Sequence, residues 1–283
     1  SLPFQKAQGL KMNLMDIYLL VLPTVLVLAV IGWLISLPEN NVNAVDSFWS
    51  MFFLASALVV IAATSELTGK NLLIFCLVAV WALRLSVFLT FRNWGKDEDR
   101  RYRAIRANNN PGFRYKSFYI IYLFQALLAS VIFMGLAPGL VEPVEFRWFD
   151  LIAITLAVTG IVYESIADWQ MLQFKSRNNR SNAVMSDGLW GLSRHPNYFG
   201  EFLFWWGMFL AIVSIQHLWV VISPLIMTVL LLKVSGVSLM EKDIKTRRPE
   251  YAKYIENTPA FFPRFSSVFS SHKLKHKEAG QAL

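Results

Sequence analysis

Residues 186–206 read SDGLWGLSRHPNYFGEFLFWW, a polar turn that passes directly into an apolar run. Pro196 lacks an amide hydrogen and has a fixed φ, so we expect a helix to begin at about this residue and to enter a membrane. Asn197 and Glu201 are four residues apart and therefore share one face of that helix. Because an acidic side chain at the centre of a membrane costs about 2.5–3.5 kcal/mol, Glu201 indicates either an ion pair that locks helices together or a functional site.

The composition of the whole chain is that of a membrane protein. Its 283 residues are 55% hydrophobic and 16% charged, whereas soluble proteins carry about 25% charged residues. We predict an all-α integral membrane protein, with one seven-helix domain over residues 1–265 and a basic polar tail over residues 266–283. The seven apolar runs that are long enough, or nearly so, to cross the hydrocarbon layer cover residues 14–37, 47–64, 71–91, 117–137, 148–172, 198–215 and 218–236.

The positive charges predict the orientation of these spans. Of the 27 Lys and Arg residues, 22 lie in the segments 92–116, 173–197 and 233–283, which alternate with apolar spans. Cytoplasmic loops carry such an excess, so we expect an external N-terminus and a cytoplasmic C-terminus. The same placement argues against nucleic-acid binding, for which a basic patch on a soluble module is typical. A bacterial inner membrane is the first choice of location, or the endoplasmic reticulum membrane in a eukaryote.

This topology places several polar residues of the spans at one depth, near the cytoplasmic face. Glu66 and His217 fall on the opposite side and are not expected to join them. Ionisable residues gathered within a membrane indicate a functional site, and we expect one cytoplasm-facing cavity. The alternative is a buried pairing network, for example Arg84 with Glu164 or Glu201. The residues of the predicted cavity are Asp46, Arg84, Glu164, Asp168, Asn197 and Glu201.

The predicted cytoplasmic segments are rich in Arg and Tyr, which suit phosphates and flat rings respectively. We therefore expect a phosphorylated cofactor to enter from the cytoplasm and an apolar substrate to enter from the bilayer. Most of these Arg residues also fit the general charge bias of cytoplasmic loops. Arg194 stands out because it precedes the predicted helix start, where anions bind favourably. The sequence has no GxGxxG or GxxxxGK[ST] motif, and its His and Cys spacing predicts no metal site.

Three segments resemble the steroid 5α-reductase-like family of membrane reductases, and most closely its uncharacterised bacterial branch. They are WALRLSVFLTFRNWGKDEDRRY, GLWGLSRHPNYFGE and SGVSLMEKDIKTRRPEYAKYIENTPAFFP. With the spans, the similarity covers most of residues 40–265. The resemblance implies a seven-helix fold that holds NADPH in a cytoplasm-facing cavity. It also implies reduction of a carbon–carbon double bond in a steroid-like or other hydrophobic substrate.

The resemblance also implies roles for individual residues. Asp46, Tyr198 and Glu201 become candidate catalytic residues, and Asp46, Trp81, Arg84 and Glu164 candidate substrate contacts. Trp81 stands where the steroid reductases have a Tyr, and a Trp is a poor general acid, so reduction of another conjugated lipid stays open. The residues expected to contact NADPH are Arg92, Arg101, Asp168, Lys175, Arg177, Arg194, His195, Asn197, Tyr198, Glu201, Glu241, Arg248 and Tyr251.

Two other functions fit the same residues. The RHPxY element also occurs in integral-membrane methyltransferases that use S-adenosylmethionine and act on lipid or prenylated substrates. Those proteins carry a Glu-Glu pair after the last helix, where this chain has Glu241-Lys242. The second alternative is a non-catalytic lipid-binding membrane protein. None of the three functions predicts an obligatory protein partner.

Overall fold

The computed structural model describes residues 12–143, 145–177, 183–234 and 250–264, and these residues form helices and connecting segments without a strand. Glu241, Arg248 and the predicted tail lie outside the described residues. The helices, numbered in chain order, are α1 (Leu14–Glu39), α2 (Ala44–Ala63), α3 (Gly69–Asn93), α4 (Arg100–Asn109), α5 (Phe113–Met134), α6 (Ala137–Val141), α7 (Asp150–Arg177), α8 (Leu189–Leu192), α9 (Pro196–Ile212), α10 (Ile215–Val234) and α11 (Glu250–Asn257).

The multi-pass membrane character predicted from the sequence is confirmed. Among the described residues, six helices are long and apolar enough to cross a membrane: α1, α2, α3, α5, α7 and α10. The remaining predicted span corresponds to α9, which begins at Pro196 as expected and has 17 residues. At 1.5 Å per residue it is about 25 Å long, short of the roughly 30 Å hydrocarbon layer. The count of seven spans, the orientation and the identity of the membrane stay predictions.

The helices α4, α6, α8 and α11 were not predicted, and α4 is the longest of the four. The basic segment 92–116 was interpreted as a loop, but α4 forms within it. Asp99 caps this helix, because its side chain accepts a hydrogen bond from the backbone N–H of Arg101 at 2.9 Å. Such a cap satisfies one of the amide groups that a helix start leaves without a partner. Tyr102 is the residue that α4 buries.

The chain divides into two compact units. The first unit comprises Ser1–Leu151 and Met208–Ser223, and the second comprises Ile152–Gly207 and Pro224–Leu283. The helices α7, α9 and α10 each contribute residues to both units. The prediction of one domain over residues 1–265 is not decided by this division.

In the first unit, α2 packs between α1 and α3, because short connections make consecutive helices antiparallel neighbours. Its core contains large aromatic side chains, among them Phe52, Phe53 and Trp81, which are fully buried. Near the start of α3, Lys70 forms an ion pair with Asp150, with 2.6 Å between Nζ and Oδ2. Arg147 binds the other oxygen of Asp150, with 2.7 Å between Nη2 and Oδ1.

In the second unit, α7 and α9 approach until their backbones touch. A Cβ atom added to Gly160 would lie 2.5 Å from the carbonyl oxygen of Gly200 and 2.5 Å from the amide nitrogen of Phe204. A Cβ atom added to Gly207 would lie 2.5 Å from the amide nitrogen of Ala157. Small residues at a helix contact permit such close packing within membranes. The glycines therefore set the distance between the two helices that carry the polar residues of this unit.

We expect Gly160→Ala to destabilise the protein by about 1–3 kcal/mol, the usual cost of overpacking a tight contact. The added methyl group would meet backbone atoms, which cannot move aside as a flexible side chain can. Thermal unfolding of the detergent-solubilised protein measures the effect. Gly69→Ala is the matched control, since its Cβ atom would meet a ring carbon of Phe146 at an ordinary 3.8 Å. Equal unfolding temperatures for the two variants would show that α7 and α9 do not pack tightly at Gly160.

Candidate functional site

The turn before α9 is shaped by residues far along the chain. The hydroxyl of Ser193 donates to the carbonyl of Phe261 at 2.8 Å and accepts from the backbone N–H of His195 at 3.2 Å. Ser193 itself has an extended backbone conformation. Pro196 then starts the helix, as its fixed φ allows. The chain therefore enters α9 through a turn whose polar groups are tied to the C-terminal segment.

Three carboxylates are buried in the second unit, two of them on α7 and one on α9. The residues Glu164, Asp168 and Glu201 are 3%, 5% and 8% exposed, respectively. A Cβ atom added to Gly200 would lie 2.7 Å from the Cβ atom of Glu164, so α9 meets α7 at the residue beside Glu201. Asp168 follows Glu164 by four residues and shares its face of α7. The second unit thus buries two of the predicted acidic residues on α7 and one on α9, and Glu164 lies at the contact of the two helices.

Aromatic and amide groups lie next to Glu201 along the chain. The rings of His195 and Tyr198 are stacked, with centroids 5.5 Å apart and planes 6° from parallel. His195 is buried, whereas Asn197 and Tyr198 are half-buried. His195 and the first turn of α9 therefore supply an imidazole, a carboxamide and a phenol close in sequence to the buried Glu201.

Arg194 makes contacts that the sequence did not indicate. Its Nη1 atom donates to the carbonyl of Thr258 at 2.6 Å and to that of Ile255 at 3.2 Å. Its backbone N–H donates to the carbonyl of Pro259 at 2.9 Å. These acceptors lie at and just beyond the C-terminal end of α11, where a cation is favourable. The side chain thus binds the protein itself, and its predicted role as a cofactor ligand stays a prediction.

The other predicted cofactor ligands of the second unit differ in exposure. Lys175 and Arg177 are exposed in the last turn of α7. Tyr251 is buried on α11, and its ring meets that of Tyr254 edge-on with centroids 5.2 Å apart. Glu241 and Arg248 cannot be placed, because they lie outside the described residues.

In the first unit, Asp46 lies at the centre of a polar cluster. The hydroxyl of Tyr102 donates to Oδ1 of Asp46 at 2.5 Å. Arg101 and Arg92 donate to Oδ2 at 3.3 and 3.4 Å. Asp46 therefore accepts on both oxygens, and it would have to release one of these donors before it could protonate a substrate. The catalytic role of Asp46 stays a prediction.

Burial and the charge of Asp46 shift the pKa values of its two neighbours on α4. Burial raises the pKa of Tyr102 well above its ordinary value, and the charge of Asp46 raises it further. Burial lowers the pKa of Arg101, but Asp46, Tyr102 and Asp99 outweigh this effect and raise it above the ordinary value. Both donors therefore stay protonated at physiological pH. The sequence predicts only that tyrosines of the basic segments suit flat rings, and no local signal pairs Tyr102 with Asp46.

The two other predicted substrate contacts of the first unit lie on α3. Trp81 is fully buried, and its ring meets that of Phe53 edge-on with centroids 5.5 Å apart. Arg84 follows one turn later and is half-buried. Asp46, Trp81 and Arg84 belong to the first unit, while Glu164, Asp168, Asn197 and Glu201 belong to the second. One cavity that collects both sets stays a prediction.

Comparison with known proteins gives one family and two relatives. A family model described as a protein of unknown function (DUF1295) matches residues 32–258. An uncharacterised protein of Schizosaccharomyces pombe is 26% identical over 292 aligned positions, which cover 90% of this chain and 83% of the relative. The cobalt-zinc-cadmium resistance protein CzcN of Cupriavidus metallidurans is 28% identical over 120 positions, or 42% of this chain and 53% of that protein. No solved structure gives a significant match.

Proposed function

Because this chain belongs to the DUF1295 family, a steroid 5α-reductase-like family, we propose that it is an NADPH-dependent membrane reductase. Its substrate would be a hydrophobic molecule with a carbon–carbon double bond conjugated to a carbonyl group, such as a steroid-like enone or another conjugated lipid. The chemistry would take place in the second unit, around the first turns of α9.

The observation that carries this proposal is the burial of three carboxylates between apolar helices. Glu164, Asp168 and Glu201 are each less than a tenth exposed. Buried acidic groups in a membrane protein are costly and mark functional sites by default. They are also strong hydrogen-bond acceptors, which suits a ligand that brings its own donors. A nicotinamide carboxamide and ribose hydroxyl groups are donors of this kind.

The second unit also has residues that fit the rest of NADPH. Glu164, Asp168 and Lys175 follow each other at intervals of four and seven residues, so they lie along one stripe of α7. The buried end of this stripe offers acceptors, and the exposed end offers the Lys175 ammonium to phosphates. Arg177 adds a guanidinium close by in sequence, and guanidinium groups bind phosphate oxygens in pairs. When bound, NADPH supplies the hydride for the alkene carbon.

The protein's own groups have two tasks in such a reaction. Negative charge develops on the substrate carbonyl oxygen as the hydride arrives, and a fixed donor near that oxygen stabilises it. A proton must then reach the neighbouring carbon, which completes the reduction and leaves the cofactor oxidised. The Tyr198 hydroxyl is the candidate for both tasks in the second unit, while the ionised Glu201 accepts hydrogen bonds from the cofactor. Asp46 is less suitable in the structure described, since it accepts hydrogen bonds on both oxygens.

A binding experiment tests the proposal. We expect the detergent-purified protein to bind NADPH saturably, measured by the change in nicotinamide fluorescence, and not to bind S-adenosylmethionine in an equilibrium titration. Binding of S-adenosylmethionine alone would overturn the reductase proposal in favour of a methyltransferase. Binding of neither molecule, with co-purified lipid seen by mass spectrometry, would instead support a non-catalytic lipid-binding protein.

A further inference from the structure

The C-terminal segment 250–264 is tied to the turn that precedes α9 by hydrogen bonds to the backbone. The N–H of Arg194 donates to the carbonyl of Pro259 at 2.9 Å, and the N–H of Arg264 donates to the carbonyl of Leu192 at 3.0 Å. The hydroxyl of Ser193 adds the bond to Phe261 at 2.8 Å. Backbone bonds of this kind fix position, because their acceptors cannot rotate away. We call this set of contacts the C-terminal clamp.

Two side chains extend the clamp beyond the backbone. Arg194 reaches the carbonyls of Thr258 and Ile255, at 2.6 and 3.2 Å from Nη1. The hydroxyl of Tyr254 donates in the opposite direction, to the carbonyl of Trp190 at 2.5 Å, and lies 3.4 Å from that of Ser193. Each side chain thus starts on one segment and ends on the other. Both are buried, so water does not compete for these bonds.

The clamp joins two parts of the chain that carry expected cofactor ligands. On one side it ends beside His195 and Asn197, at the start of α9. On the other side it ends beside Tyr251, whose ring packs edge-on against that of Tyr254. A shift of α11 relative to the turn would therefore change the position of Tyr251 relative to the first turn of α9.

We propose that Arg194 and Tyr254 are positioning residues, which bind α11 to the turn before α9 so that both cofactor-binding segments are held in register. This inference rests on the proposed NADPH function. The sequence predicted that Arg194 contacts NADPH. As a positioning residue it instead binds the carbonyls of Thr258 and Ile255, and not a phosphate of the cofactor. This inference also assigns a role to Tyr254, which the sequence did not single out.

The test compares Arg194→Lys and Tyr254→Phe with the unchanged protein in binding titrations with both NADPH and NADH. Lysine keeps the charge but lacks the planar fork of a guanidinium, and phenylalanine removes only the hydroxyl. We expect each variant to bind both nucleotides about ten-fold more weakly, which corresponds to one lost buried hydrogen bond. The double variant should lose less than the product of the two effects, because the residues share one clamp. Arg103→Lys and Tyr115→Phe, both exposed on the first unit, are the controls.

The two nucleotides separate positioning from direct binding. If Arg194→Lys weakens NADPH binding but leaves NADH binding unchanged, Arg194 contacts the extra phosphate and the inference is overturned. It is equally overturned if Tyr254→Phe binds both nucleotides as the unchanged protein does.

Hydrogen exchange distinguishes failure of the clamp from failure of the proposed function. If the unchanged protein binds neither nucleotide, the NADPH proposal fails, and exchange at the amides of residues 190–195 then tests the clamp. Tyr254→Phe should speed exchange there by about ten-fold, because local opening costs one hydrogen bond less. Unchanged protection would show that Tyr254 does not hold the turn.

Discussion

Replacing Asp150 by Asn is expected to lower the stability of the detergent-solubilised protein by about 3–5 kcal/mol, the cost of removing one partner from a buried ion pair. Lys70 and Asp150 are 3% and 1% exposed, and their charged atoms lie 2.6 Å apart. Asn can still accept hydrogen bonds but leaves the Lys70 ammonium buried without a neutralising charge. The same carboxylate also accepts from the backbone N–H of Arg147 at 2.7 Å.

The loss of stability should also affect the end of α9, because Arg147 contacts both Asp150 and the last carbonyl groups of that helix. Its guanidinium donates to the carbonyl of Val213 at 2.5 Å and to that of Ala211 at 2.7 Å. These carbonyls belong to the last turn of α9 and the residue after it, which a helix leaves without amide partners. Loss of the Asp150 charge therefore removes the ion pair with Lys70 and also the ion pair that holds the Arg147 guanidinium in place.

Thermal and denaturant unfolding measure this effect, and a double variant identifies its cause. Lys70→Met combined with Asp150→Leu should recover part of the loss, because an apolar pair leaves no uncompensated charge between Lys70 and its partner. Lys96→Met, at an exposed position, controls for the loss of a lysine as such. If Asp150→Asn unfolds like the unchanged protein, the ion pair contributes nothing to stability and this account of the first unit is wrong.

Glu201→Gln is expected to weaken NADPH binding by about 10- to 100-fold, the range that corresponds to losing a hydrogen bond to a charged group. The substitution keeps the size of the side chain, so the packing of α9 against α7 is preserved. The carboxylate is 8% exposed, and water cannot easily replace its bonds. Because the buried charge is removed, the unfolding temperature should stay the same or rise slightly.

Titration of NADPH and thermal unfolding, carried out on the same preparation, separate the two roles that the sequence left open for Glu201. If Glu201 binds the cofactor, Glu201→Gln lowers the affinity for NADPH and leaves the unfolding temperature unchanged. A residue that only locks helices through an ion pair gives the reverse result, a lower unfolding temperature with unchanged affinity. Glu256→Gln, an exposed position on α11, should change neither measurement.

Much of the helical framework followed from local patterns. Uninterrupted apolar runs predicted α1, α2, α3, α5, α7 and α10, with ends within five residues of those observed. The start of α9 at Pro196 also followed locally, from the missing amide hydrogen and fixed φ of proline. The end of α5 was placed at residue 137, whereas the helix stops at Met134, and α6 begins at Ala137. That boundary has a local cause that the apolar run concealed, since Pro138 lacks an amide hydrogen and its ring would crowd the carbonyl of Met134, four residues earlier, in a continuous helix.

The sequence by itself therefore determined that this chain is a multi-pass helical membrane protein, and where the start of α9 lies. Hydrophobic length and proline geometry act within a few residues, so they can be read without the fold. Only the tertiary structure decided which charges meet. Tyr102 reaches Asp46 across 56 residues, Lys70 reaches Asp150 across 80, and Arg194 reaches Thr258 across 64. A charge attracts every opposite charge within range, and the packing of the helices alone brings one partner to hydrogen-bond distance.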